Sequence, residues 1–266
     1  MKDVSKTLYI PLRGKAMVSK LCIILNDPDA VRIWDAEGFP LKGKAASKWL
    51  AYYMGMRSAI FDRWLREKLL EYPDAVVLHP GCGLDSRICR VGCGSHHWYD
   101  LDFPPVIGER RRFFRDSEYY HMIGCDLRDP QWLQNVPKGK PAVIVMEGVS
   151  MYIPPEELRQ LFSLWAAHFS EIHLLMDAYT LFATRVSRFK NPINEVGVTQ
   201  VYGTDDPAAL CDGTGLAFLS EQDMTPEDLI SQLQPLEQRM FRKLYAGSFA
   251  RRLYRLWAFG TQKPSD

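Results

Sequence analysis

Residues 74–87 read DAVVLHPGCGLDSR. The run over 75–79 is short, apolar and rich in Val and Leu, and it stops at Pro80-Gly81, as a buried strand does when it meets a turn. Gly81-Cys82-Gly83 follows, and a helix is expected near 84–91. A glycine turn between a strand and a helix lets the chain reverse tightly and lets a ligand approach bare backbone. The dinucleotide fingerprint needs a third glycine where Ser86 stands, so G-x-G-x-x-G is incomplete here and a plain structural turn is the alternative reading.

Outward from that turn, short apolar runs alternate with helical stretches, the pattern of β-α-β units and a mostly parallel sheet. Strands are predicted at 96–101 (HHWYDL), 119–124 and 172–177. A fourth, AVIVM at 142–146, is apolar throughout and reads as buried on both faces. Pro104 and Pro105 punctuate before a helical stretch at 106–114. Pro154 and Pro155 with Glu156 and Glu157 open a helix running to about residue 169. Thr225 caps a helix beginning at Pro226. Residues 242–246 and 253–261 are assigned the two last strands, as an antiparallel edge, which makes seven. Upstream, Trp49, Tyr52, Tyr53, Met56, Ile60 and Trp64 recur at spacings of three and four, so the first seventy residues read as helical. The chain divides into a helical cap (1–72), a ligand-binding core (73–179), a turn-rich lid (180–225) and a C-terminal helix and strands (226–266), all in one domain.

Three acids fall at successive strand ends. Asp102 lies nineteen residues after Gly83, where a carboxylate can accept from both hydroxyls of a ribose. Asp126 can reach an adenine amino group, and Glu147 can meet an ammonium. Each acid alone also reads as a helix cap or a surface carboxylate. Together they make a crevice that repels a pyrophosphate and suits a nucleoside carrying a positive charge. This favours S-adenosylmethionine over a nicotinamide dinucleotide. Arg57 is the candidate partner for the methionine carboxylate, since guanidinium binds carboxylate in a two-pronged fashion. An ordinary surface arginine is its other reading.

Charge narrows the partners. Thirty-three basic residues face thirty-two acidic ones, a net charge of +1, so the basic excess of a nucleic-acid binder is missing. No stretch of eighteen apolar residues and no leader pattern stands in the sequence, and the six cysteines lack a dense disulfide spacing, so no membrane and a cytoplasmic location are expected. Cys82, Cys89 and Cys93 before His96 and His97 match no common zinc spacing, so no metal is assigned.

The ordered set YYMGMRSAIFD, VVLHPGCGLDSR, YDLDFP, CDLRD and VMEGVSMY resembles the leucine carboxyl methyltransferase-like family. IWDAEGFPLKGK, NPINEVGVTQVYG and LYAGSFARRLYRL are more similar to its tetracenomycin-type polyketide O-methyltransferase branch. The likeness runs from about residue 7 to 259. It implies an α/β, class I methyltransferase (Rossmann-like) fold with N-terminal helices and an inserted lid. It also implies that Arg57 binds the methionine carboxylate, that Gly81 and Gly83 pass beneath the methionine part, and that Asp102 holds the ribose. Asp126 and Leu127 would flank the adenine, Glu147 would hold the amino group, and Tyr152 would lie near the methyl donor. Pro80 before the glycine turn departs from the pattern.

Methyl transfer from a sulfonium needs alignment of the acceptor more than activation of the donor. No His-Asp pair stands out as a base, which favours an acceptor already ionised, a carboxylate giving a methyl ester. Tyr53, Arg185 and Tyr202 are the candidate acceptor contacts, with Arg188, Lys190, Arg13 and Lys15 as further cations and Trp49 and Tyr52 as further aromatics. The expected partner is a small aromatic acid. The rivals are a protein C-terminal carboxyl methyltransferase, a nicotinamide oxidoreductase and a non-catalytic cofactor-binding protein.

Overall fold

A computed structural model of the chain describes residues 7–187 and 200–262. Seven strands of these residues form one sheet in the order β3-β2-β1-β4-β5-β7-β6. They are β1 (Val76–Pro80), β2 (Trp98–Asp102), β3 (Tyr120–Gly124), β4 (Pro141–Met146), β5 (Glu171–Tyr179), β6 (Leu216–Gln222) and β7 (Tyr254–Thr261). The first five run parallel, and β7 is antiparallel to both β5 and β6. Chain order reverses between β1 and β4. Such a switch point opens a crevice beyond the carboxyl ends of the strands.

Alternation explains why the central strands are apolar on both faces. Val77, Val143 and Val145 face a core built with the N-terminal helices. Val76, Leu78, Ala142, Ile144 and Met146 face a second core with Phe162 and Trp165. On the first side lie α1 (Tyr9–Lys20), α2 (Pro28–Glu37) and the long α3 (Lys48–Glu71). Asp27 caps α2 by accepting from the Ala30 N–H at 2.8 Å, and Ser47 caps α3 by accepting from that of Trp49 at 3.2 Å. The remaining helices are α4 (Arg87–Val91), α5 (Pro104–Arg110), α6 (Pro155–His168), α7 (Leu181–Ser187), α8 (Glu227–Ile230), α9 (Pro235–Phe241) and α10 (Ser248–Arg251). None of the described helices is long and apolar enough to cross a membrane.

Two expectations are corrected. Residues Arg242–Ala246 are not a strand but a π-helical turn continuing α9. No glycine or proline interrupts the chain between Phe241 and Gly247, so the helix propagates until Gly247. The edge strand is instead β6, inside the stretch read as lid. Gly213 and Gly215, at φ of 72° and 81°, turn the chain into it. The N-cap of α8 is Pro226, not Thr225, and it makes no side-chain capping bond.

Candidate functional site

The glycine turn is built for close approach. Gly81 stands at φ 65°, and a Cβ there would lie 2.1 Å from Cγ2 of Val149. The turn is tied across the sheet, with the N–H groups of Gly81 and Cys82 donating to the Leu101 carbonyl at 2.7 and 3.2 Å. Asp102, ending β2, accepts from the Gly83 N–H at 2.8 Å and the Phe103 N–H at 2.7 Å. Burial nevertheless pushes its carboxyl above the usual range, because these bonds do not replace all the lost water.

Beside the turn lies a buried ionic network. Glu147, just beyond β4, accepts from Arg57 Nε at 3.0 Å, from Ser58 Oγ at 3.0 Å, and from Arg87 Nη2. Arg57 also donates to Asp177 Oδ2 at 3.0 Å and to the Tyr254 hydroxyl at 2.7 Å. That hydroxyl in turn donates to Asp177 at 2.6 Å. Lys15 pairs with Asp85 at 2.9 Å. His79 has both ring nitrogens engaged, Nδ1 with Asp100 at 3.0 Å and Nε2 with Arg87 at 2.9 Å. A guanidinium can only donate, so Nε2 accepts and the proton sits on Nδ1. Burial and then Arg87 lower the imidazole's pKa and keep it neutral.

These shifts carry a stability consequence. Burial pushes the carboxyl of Glu147 up, but Arg57, Arg87 and Lys15 outweigh it and hold it at about 2. Asp100 is likewise held at about 2, with Arg110 and His79 overcoming burial. Each contributes stability that is complete above its unfolded-state pKa, roughly 4, and is lost as pH falls toward the folded value. Asp177 acts oppositely. Burial raises it to about 6, so its contribution is present below roughly pH 4 and lost as pH rises through the folded value. The melting temperature is expected to fall steeply between roughly pH 4.5 and pH 2. Scanning calorimetry across that range checks it, and a flat profile would mean that the two acids are not paired in solution.

Arg57, Gly81, Gly83, Asp102, Asp126, Leu127, Glu147, Tyr53 and Tyr152 all line one cavity of about 1000 Å³. The three strand-end acids therefore meet in one crevice. Asp126 pairs with Arg128 there, at 2.8 Å to Nε. The strand ends supply its polar wall, and helices supply an apolar one: Trp49, Tyr53 and Met54 from α3, Ala183 and Val186 from α7, Tyr245 and Phe249 from the segment before β7. Acids with a bare backbone cradle at one side suit a nucleoside with a cationic centre. Among the described residues no group of three His, Cys, Asp or Glu could hold a metal ion.

Two predicted acceptor contacts lie elsewhere. Arg185 is exposed on the last turn of α7, and Tyr202 has its hydroxyl bonded by Gln200 at 2.8 Å; neither lines the cavity. Tyr52 points its hydroxyl at Glu237, 3.2 Å away, and Arg13 donates to the Ser47 carbonyl at 3.3 Å. Arg188 and Lys190 fall outside the described residues. Lys15 does line the cavity, at its polar side. Asp177, Tyr254, Asp85 and Arg87 were missed. Asp177 ends the predicted fifth strand, so the logic that singled out the other three acids pointed to it as well. Tyr254 sits opposite Tyr179 in the β5–β7 register.

The family model for leucine carboxyl methyltransferase matches residues 17–166. The tetracenomycin polyketide synthesis O-methyltransferase TcmP of Streptomyces glaucescens is 30% identical over 204 residues, 75% of this chain and 76% of that protein. The S-adenosyl-L-methionine-dependent methyltransferase dpfgK of Gibberella zeae is 25% identical over 182 residues, 63% of this chain and 61% of that protein. Magnesium protoporphyrin IX methyltransferase from Synechocystis, solved with bound SAH, covers 94% of this chain and 100% of its own at a TM-score of 0.52. At 13% identity that likeness is one of fold alone. With more than half its length matched by the family model and three quarters by a relative 30% identical, the chain belongs to the leucine carboxyl methyltransferase family and is an S-adenosylmethionine-dependent methyltransferase.

Proposed function

We propose that the protein methylates the carboxylate of a small aromatic acid, giving a methyl ester, in the cytoplasm. The observation that carries this reading is the two-sided cavity. At about 1000 Å³ it stands at the top of the ~300–1,000 Å³ typical of small-molecule sites, which leaves room for cofactor and acceptor together. Likeness to a polyketide O-methyltransferase supports a ring-bearing acceptor. Six free cysteines suit a reducing compartment.

In this reading Arg57 binds the methionine carboxylate and Glu147 the ammonium, while Gly81 and Gly83 let the backbone approach. Asp102 takes the ribose hydroxyls, Asp126 and Leu127 flank the adenine, and Tyr152 stands near the donor methyl. Bound S-adenosylmethionine supplies a methyl group on a sulfonium, already activated for displacement. The chain's own task is to align an acceptor oxygen and keep water away. A general base is not required of it. His79, the imidazole on the cavity wall, has both nitrogens engaged, and burial raises the pKa of Tyr152 well above neutral. An acceptor that arrives ionised needs no such base.

Incubation with methyl-labelled cofactor and anthraquinone-2-carboxylic acid is expected to give a product that releases volatile label in mild base, as methyl esters do. Base-stable label would mean a phenol ether and would overturn the carboxylate reading. The family description favours a peptide carboxy terminus as second reading, and transfer of label to protein in a cell extract, with none to the acid, would select it.

A further inference from the structure

Tyr53 carries a hydroxyl that the fold leaves unused. It lies on α3 four residues before Arg57, so the two side chains share one helical face. Its ring packs against Tyr245, centroids 5.1 Å apart, and against Tyr254 at 6.4 Å. The residue is only 8% exposed, and its side chain lines the cavity. Neighbouring hydroxyls are engaged: that of Tyr254 donates to Asp177 and accepts from Arg57, and that of Tyr152 is bonded with Thr7. The Tyr53 hydroxyl makes no hydrogen bond with any described residue. Among the described residues it is also absent from the side-chain polar atoms that are fully enclosed and make no hydrogen bond. It therefore keeps contact with the cavity space.

A nearly buried hydroxyl without a partner is costly unless water or a ligand satisfies it. Its position matters as much as its vacancy. Through Arg57 it adjoins the polar side of the cavity, and through Tyr245 the apolar side. Burial raises its pKa, so it is a donor at neutral pH and not a base.

We infer that the Tyr53 hydroxyl donates the hydrogen bond that seats the acceptor carboxylate, holding the oxygen that is not methylated. The other oxygen is then aimed at the donor methyl. Its lone pair forms the new O–CH3 bond, the S–CH3 bond breaks with its electron pair left on sulfur, and the proton of Tyr53 stays on Tyr53. Such a contact fixes one of two equivalent oxygens and rejects an acceptor that lacks the second. This inference rests on the carboxylate reading of the cavity and assigns a residue to it.

The test is Tyr53→Phe, which keeps the ring and its stacking. Two quantities are measured by calorimetry: binding of S-adenosylhomocysteine, and binding of anthraquinone-2-carboxylic acid to the protein saturated with it. The first is expected to stay within about twofold of wild type, since no cofactor contact changes. The second should weaken about thirtyfold, as loss of a hydrogen bond to a charged group implies. With labelled cofactor, kcat/KM for the acid should fall by a similar factor while the melting temperature is retained. Wild-type affinity for the acid in Tyr53→Phe overturns the assignment of Tyr53 and leaves the carboxylate reading standing. Wild-type protein that binds S-adenosylhomocysteine but none of the acid overturns both. A variant that loses S-adenosylhomocysteine as severely as the acid also overturns the assignment, because Tyr53 would then serve the cofactor.

Discussion

Replacing Asp102 by alanine is expected to weaken S-adenosylhomocysteine binding at least a hundredfold while leaving thermal stability nearly unchanged. On the proposed ribose assignment, the carboxylate would accept two charge-assisted hydrogen bonds, each worth ~1.5–3 kcal/mol, with every 1.4 kcal/mol a factor of ten. The carboxylate also holds the Gly83 and Phe103 N–H groups at 2.8 and 2.7 Å. Its removal therefore loosens the glycine turn that the ligand must meet. Stability behaves differently because burial raises the pKa of this group. The ionised carboxylate is worse off folded than unfolded at neutral pH, so deleting it relieves a cost as well as removing two bonds. Titration calorimetry beside a melting curve separates the two effects. Near-normal affinity would sink the ribose assignment. A large drop in melting temperature would mean that the turn, not the ligand, is what Asp102 serves.

The strand framework was legible because its signal is local. AVIVM over 142–146 is apolar on both faces, and β4 is fully buried from Ala142 onward. Asp102, Asp126 and Glu147 were found from position alone, since strand ends in a parallel sheet converge by topology. The side-chain partners of these residues were not legible, because the deciding contacts lie far away in the chain. Arg57 meets Glu147, Asp177 and Tyr254 across sequence separations of 90, 120 and 197 residues. No periodicity within α3 signals that its arginine is buried among carboxylates. Lys15 was weighed as an acceptor contact, and nothing near it in sequence announces Asp85. Arg185 was chosen for its charge on a stretch read as lid. The turn that ends α7 leaves it exposed to solvent, where a cation is simply hydrated. Misplacing the edge strand had a different cause. Arg242–Ala246 is apolar enough for a strand, but it follows α9 without a breaker, and helix propagation costs less than starting a new element.

Arg87→Met is expected to be the most destabilising single change near the site. Arg87 is fully buried and opens α4, where its guanidinium reaches Asp62 at 2.8 Å, Asp85 at 3.4 Å, His79 and Glu147. In the surrounding network four cations, Lys15, Arg57, Arg87 and Arg90, face five carboxylates, Asp27, Asp62, Asp85, Glu147 and Asp177. Replacing a whole buried ionic group by apolar residues can be neutral, because desolvation of the charges is spared. Removing one cation spares only its own desolvation and leaves a nearly balanced cluster two charges negative. The expected cost is ~3–5 kcal/mol, or a fall in melting temperature of roughly 10 °C for a chain of this size. Lysine should not rescue it, since a point charge cannot serve Asp62 and Glu147 along two arms of one plane. With Arg87 gone, Glu147 keeps Arg57 and Lys15 but loses its second guanidinium, so its pKa should rise from about 2 toward the ordinary range. The acid-induced loss of stability would then be smaller and complete at higher pH than in wild type, so the gap between the two proteins narrows in acid, which simple loss of packing would not produce. Melting curves for Arg87→Met and Arg87→Lys at neutral pH and near pH 4 test both parts, and an unchanged melting temperature would show that burial already cancels what the arginine gains from its partners.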